Sequence, residues 1–148
     1  MKNIAIFVSG TGSNAKRIID YFDQSTEVKV ALLLSNKPDA PALAVAAERG
    51  VDTRLLKRKA FYESEEILDI LSTYKIDFVV LAGFLWLIPP YLVQAFRGKM
   101  VNVHPALLPA FGGKNMYGAH VHKAVHAEGR KRSGMTIHWV NENYDEGD

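Results

Sequence analysis

The chain has 148 residues, 48% of them apolar and 23% charged, with a formal net charge of +2. That length suits one domain burying about two-thirds of its unfolded surface, and so small a charge gives no ground for a nucleic-acid or membrane-surface partner. The lack of cysteine excludes a disulfide frame and a thiolate metal site, and no apolar run reaches the ~20 residues of a membrane-crossing helix. From Met1 the pattern is that of a strand rather than a secretory leader. A cytoplasmic enzyme or binding domain is expected.

Residues 3–8, continuously apolar after Asn3, have the pattern of a strand covered on both faces in a parallel sheet. Ser9-Gly-Thr-Gly-Ser-Asn14 follows as a turn, and 15–22 is patterned as a helix with Ser13 or Asn14 as its N-cap. A second strand is expected over 28–34, an alanine-rich helix over 40–49 closed by Gly50, and a short strand over 52–56. Residues 61–74 are spaced as one helix that turns Phe61, Ile67, Leu68 and Leu71 inward. The β-branched run 76–82 is another strand, and 83–90 leads into a helix over 90–96. A strand carrying Asn102 comes next and ends at Pro105. A helix over 117–128, a strand over 134–140 and an acidic loop over 141–148 complete the pattern.

Strand and helix alternate about five times with short links, so the fold class is α/β: an open, mostly parallel Rossmann-like sheet with helices on both faces. A single domain over 1–148 is expected. Ligands of such sheets sit at the carboxyl ends of the strands, where the strand order switches direction. The loops to inspect are therefore 9–14, 35–38, 83–90, 102–113 and 141–148.

Gly10-x-Gly12-x-x-Ala15, between a strand and a helix, matches the dinucleotide fingerprint. Helix-start N–H groups there, with Ser13 and Asn14, make an anion pocket. A dinucleotide site would also place an acid at the end of the second strand, where this chain has Ser35-Asn36, and the nearest acid, Asp39, lies beyond Pro38. A phosphate or phosphosugar fits better than a dinucleotide, and a plain tight turn is the remaining alternative. In 83–90, Phe84, Leu85, Trp86, Leu87 and Ile88 either fill the core or form an apolar wall for a flat heteroaromatic ligand. The sequence does not separate the two.

Asn102 and His104 stand two residues apart on their strand, so an amide and an imidazole share one face at its end. Leu107-Leu108, between Pro105 and Pro109, then form a rigid turn released at Gly112-Gly113. His120, His122 and His126 fall on one expected helix, and the last two have the spacing of a helical metal pair. No third ligand is evident, so a solvated face is the better reading and no metal is expected. His138, between Ile137 and Trp139, reads as structural. Asp145 either folds back beside the imidazole or is one of the solvated acids of its loop, with Glu142, Glu146 and Asp148.

Asn102-Val-His-Pro-Ala-Leu-Leu-Pro109, with Ala82-Gly-Phe84 upstream and the 9–14 loop, resembles the formyltransferase family that uses 10-formyltetrahydrofolate. The likeness runs the length of the chain, and the amino-terminal loop points to the glycinamide ribonucleotide branch. The resemblance implies an enzyme of de novo purine biosynthesis that moves a formyl group from 10-formyltetrahydrofolate, its co-substrate, to the amino group of glycinamide ribonucleotide. No metal and a monomer or homodimer are implied as well. Gly12, Ser13 and Asn14 would then hold the substrate phosphate. Asn102 would donate to the formyl oxygen, His104 would be the general acid, and Asp145 would raise its pKa and shuttle protons. Leu85, Trp86, Leu87 and Ile88 would line the folate site with Asn102, largely through backbone groups, and Arg58 would contact the folate.

The resemblance also implies a cis Leu108–Pro109 bond. Three departures stand out: Ala106 replaces the family's usual serine, the loop 110–118 is longer, and the chain stops at Asp148. Relatives continue with a strand pair and a helix, so the domain reads as truncated, with a weakened edge and poor activity expected of such a piece. The competing functions are a hydrolase releasing formate from the same donor and a non-catalytic nucleotide-binding module. The phosphate loop disfavours the first and the missing acid at Ser35-Asn36 the second.

Overall fold

The amino-terminal apolar run forms the middle of a sheet because it has no polar face to turn to water. The computed structural model describes residues 1–10, 12–104 and 136–139. Strands β1 (Lys2–Val8), β2 (Val28–Ser35), β3 (Asp52–Leu55), β4 (Phe78–Ala82), β5 (Met100–His104) and β6 (Thr136–Trp139) lie in the order β3-β2-β1-β4-β5-β6. The first five are parallel, and β6 runs antiparallel to β5 at the edge.

Period-2 alternation divides the sheet between two cores. Ile4, Ile6, Val8, Val80, Val101 and Val103 face helices α1 (Ser13–Phe22) and α2 (Pro41–Glu48), meeting Ile18, Phe22 and Ala46. Ala5, Phe7, Leu32, Leu34, Leu81 and Met100 face the other way. They pack against Phe61 of α3 (Arg58–Glu63), Ile67 and Leu71 of α4 (Glu66–Thr73), and Leu92 of α5 (Pro90–Ala95). The α/β fold with helices on both faces is therefore as expected. Among the described residues no helix is long and apolar enough to cross a membrane.

Three local features differ from the expectation or escape it. Helix α1 is capped by neither Ser13 nor Asn14: Gly12, with φ of 76°, is the N-cap, and no side chain caps the helix. A Cβ at Gly12 would collide with the Ala42 side chain and come within 3.2 Å of its Cα, so close packing of α2 sets the cap. The expected single helix over 61–74 is two. Ser64 is extended (φ −146°, ψ 176°) between them; its hydroxyl donates to Ala60 O at 2.8 Å and accepts the Glu66 N–H at 3.2 Å. A serine side chain that competes for backbone groups ends one helix and opens the next. The β1–β2 register also shifts: Ile4 pairs with Val30 but Ala5 with Leu32. The extra Ala31 puts Val30 and Leu33 on one face, although they are three apart.

Tyr91 ties α5 to α3, its hydroxyl donating to Phe61 O at 2.6 Å. Burial first, then the nearby Glu65 carboxylate and Tyr62, push its pKa from the ordinary 10.0 up to about 12. The fold holds the neutral phenol, so its contribution is complete below pH 10.0 and is lost as pH rises toward about 12. Tyr91→Phe is expected to cost about 1 kcal/mol at neutral pH and to flatten that alkaline loss. Urea unfolding of both proteins across the alkaline range checks it; parallel curves would count against the coupling.

Candidate functional site

From β1 the chain passes outward to β2 and β3, then returns to β4 on the other side. The crevice for a ligand therefore opens between the carboxyl ends of β1 and β4. Ser9, directly after β1, is 2% exposed and spans this crevice. Its Oγ accepts the Leu85 N–H at 2.8 Å and donates to Asn36 Oδ1 at 2.7 Å. Asn36 is positioned in turn by Ser35, whose buried Oγ accepts the Lys37 N–H at 3.1 Å. The loops after β1, β2 and β4 are thus joined through one hydroxyl.

On the β1 side, Gly12 turns the chain into α1, and its carbonyl accepts the first helical bond from Lys16 N–H at 2.7 Å. The N–H groups of Ser13 and Asn14 belong to the first turn, which has no carbonyls of its own to satisfy them. No acidic residue occupies that turn, so the positive end of the helix dipole is unopposed. Ser13 is exposed. Asn14 is buried, and its side chain has no hydrogen-bond partner among the described residues.

On the β4 side, the segment after Gly83 alternates. Phe84, Trp86 and Ile88 are half-buried and pack on the core that contains Phe61, whereas Leu85 and Leu87 are 69% and 53% exposed. Phe84 stands edge-on to Phe7 at 5.4 Å between centroids, and Trp86 packs against Phe61 at 5.7 Å. The Arg58 guanidinium lies 5.2 Å from the ring centres of both Tyr62 and Trp86, close enough for cation–π attraction. Arg58, Lys59, Tyr62, Glu63, Leu85, Trp86 and Leu87 line a cavity of about 760 Å³, within the size range of small-molecule sites. Ile88 belongs to the core and is not among these lining residues. The expected contact through backbone groups is narrowed too. Leu85 N–H is held by Ser9, and Leu87 O accepts the Tyr62 hydroxyl at 2.6 Å.

Asn102 and His104 lie on β5, beside β4. Asn102 is half-buried and pairs with Leu81 on one side and His138 on the other. His104 is the last residue of β5 and pairs with Thr136. Asp145, Ala106, the turn at 107–109 with its expected cis bond, the 110–118 loop and the helix expected for His120, His122 and His126 lie outside the described residues. Ser9, Tyr62 and Lys59 were not singled out from sequence. The Arg58–Tyr62 pair has helical i, i+4 spacing, but that signal needs a helix beginning at 58 rather than 61.

Residues 2–148 match the family model described as formyl transferase. The chain belongs to the formyl transferase family. Phosphoribosylglycinamide formyltransferase, chloroplastic, of Arabidopsis thaliana is 47% identical over 99% of this chain and 52% of its own length. Phosphoribosylglycinamide formyltransferase of Haemophilus influenzae is 37% identical over 99% of this chain and 69% of its own. The crystal structure of phosphoribosylglycinamide formyltransferase from Anaplasma phagocytophilum superposes with a TM-score of 0.75 at 32% identity, covering 99% of this chain and 68% of that one. The chain spans about half the length of its plant relatives.

Proposed function

We propose that the protein transfers the formyl group of 10-formyltetrahydrofolate to the amino group of glycinamide ribonucleotide. The observation that carries this is the sheet order: the loop of β4, with its cavity, stands between the ends of β1 and β5. A donor seated on that loop would have an anion-binding helix start on one side and Asn102–His104 on the other. The names of the relatives point the same way.

The cavity chemistry fits a folate donor. Trp86 and Tyr62 offer flat apolar surface, Leu85 and Leu87 reach into solvent, and Arg58 and Lys59 supply positive charge. Gly12, Ser13 and Asn14 would hold the ribonucleotide phosphate, with Asn14 offering its buried amide. When bound, the folate supplies an activated formyl carbon. Asn102 would donate its amide N–H to the formyl oxygen as negative charge builds there during attack by the substrate amine. His104 would act as general acid. The new carbon–nitrogen bond forms at the amine, the bond to the folate nitrogen breaks, and the amine proton passes to that nitrogen. Asp145 would keep the imidazole protonated and assist that transfer. Action on soluble small molecules in the cytoplasm, as monomer or homodimer, belongs to the same proposal.

The test is an absorbance assay with a 10-formyl folate, with and without glycinamide ribonucleotide. Folate turnover that requires the ribonucleotide is expected. Equal turnover without it would assign a hydrolase, and no turnover with both substrates would overturn formyl transfer.

A further inference from the structure

We propose that Ser9 is a positioning residue that sets the spacing between the phosphate-binding and folate-binding halves of the site; this rests on the formyl-transfer assignment above. A serine hydroxyl has one proton to give. Here it goes to Asn36 Oδ1 at 2.7 Å, and the oxygen lone pair takes the Leu85 N–H at 2.8 Å. Each bond therefore fixes the sense of the other. At 2% exposure no bulk water competes for either.

Both partners lead into the site. Leu85 is 69% exposed at its side chain and lines the cavity, so only its backbone is held, and Ser9 holds it. Its neighbour Trp86 is packed on Phe61 and Phe84, at 5.7 and 6.2 Å between centroids. The cavity wall is thus fixed laterally by aromatic packing and along the crevice by Ser9. On the other side, Asn36 gives its amide oxygen to Ser9, which leaves the amide N–H groups without a partner among the described residues. They are donors at the end of β2, beside the β1 loop, and suit an oxygen acceptor of the ribonucleotide. Ser9 itself is buried and touches neither substrate. It acts through Leu85 toward the folate and through Asn36 toward the ribonucleotide.

The experiment compares the protein with its Ser9→Ala, Ser9→Thr and Asn36→Ala variants by steady-state kinetics and by amide hydrogen exchange at Leu85. Ser9→Ala is expected to raise both substrate KM values about 10-fold with kcat changed less than about 3-fold, the pattern of lost binding geometry. Exchange at Leu85 should quicken in the same variant, and the melting temperature should fall by only the few degrees that two lost hydrogen bonds cost. Asn36→Ala should raise the ribonucleotide KM alone and leave Leu85 protected. Ser9→Thr, which restores the hydroxyl, should recover Leu85 protection and most of the folate KM. Unchanged KM values in Ser9→Ala, with the parent active, would overturn the proposal and leave formyl transfer standing. Equal losses in Ser9→Ala and Ser9→Thr at matched stability would also overturn it, because the hydroxyl would not be what matters. An inactive parent protein overturns formyl transfer, and this role of Ser9 with it.

Discussion

His104→Ala is expected to lower kcat about 100- to 1000-fold, equivalent to about 2.7–4 kcal/mol of transition-state stabilisation. The backbone here is held independently of the side chain: His104 pairs with Thr136 of β6, and the preceding Val103 pairs with both Ala82 of β4 and Ile137 of β6. Loss of the imidazole should therefore leave circular dichroism and the melting temperature close to those of the parent, so that the kinetic loss is chemical rather than structural. Asn102 gives the control. Asn102→Ala removes the amide donor, whereas Asn102→Asp removes it and places a negative charge where the oxyanion would form. The second should be the slower of the two. Single-turnover rates with both substrates bound check the order. His104→Ala at the parent rate would remove this histidine from the chemistry.

The strands of this fold were legible because their signal is compositional: runs such as 4–8 and 78–82 have no polar face and can only be covered on both sides. What escaped the sequence depends on contacts distant along the chain. Alternation in 84–88 looks like uniform hydrophobicity until Phe7 and Phe61 are present to receive Phe84 and Trp86, leaving Leu85 and Leu87 outside. The break at Ser64 was hidden because the apolar residues on either side keep a helical spacing across it. The extra residue at Ala31 leaves no trace in a run of apolar side chains, since either face would accept each of them.

The candidate site divides along the same line. Residue types that announce chemistry, such as Asn102, His104 and the glycine turn at 10–12, could be picked out from spacing alone. Ser9 could not, because a serine before a glycine is ordinary turn chemistry. Its partners Asn36 and Leu85 are 27 and 76 residues away. Gly12 was legible as a glycine that a turn requires, but the sequence assigned the helix cap to its neighbours. The reason it must be glycine lies in α2.

Gly12→Ala is accordingly expected to be the most damaging small substitution in the described part of the chain. Two costs meet there. A side chain at φ of 76° is in the left-handed region, worth roughly 1–2 kcal/mol for an ordinary residue. The added Cβ also overlaps the side chain of Ala42, itself only 1% exposed, and overpacking of this kind costs about 1–3 kcal/mol. A total loss of about 2–5 kcal/mol is expected, a large part of the stability of a typical domain. Because α1 begins at this residue, the movement that relieves the overlap displaces the N–H groups of Ser13 and Asn14. The ribonucleotide KM should therefore rise more than the folate KM. Ala42→Gly separates the two costs. It removes the atom that the new Cβ strikes, so the double variant should regain the packing part of the loss while the backbone part persists. Urea unfolding of the single and double variants should then give a favourable coupling of about 1–3 kcal/mol, the size of the packing part. Strict additivity would mean that α2 yields to the methyl group, and that glycine is needed here for its backbone angle alone.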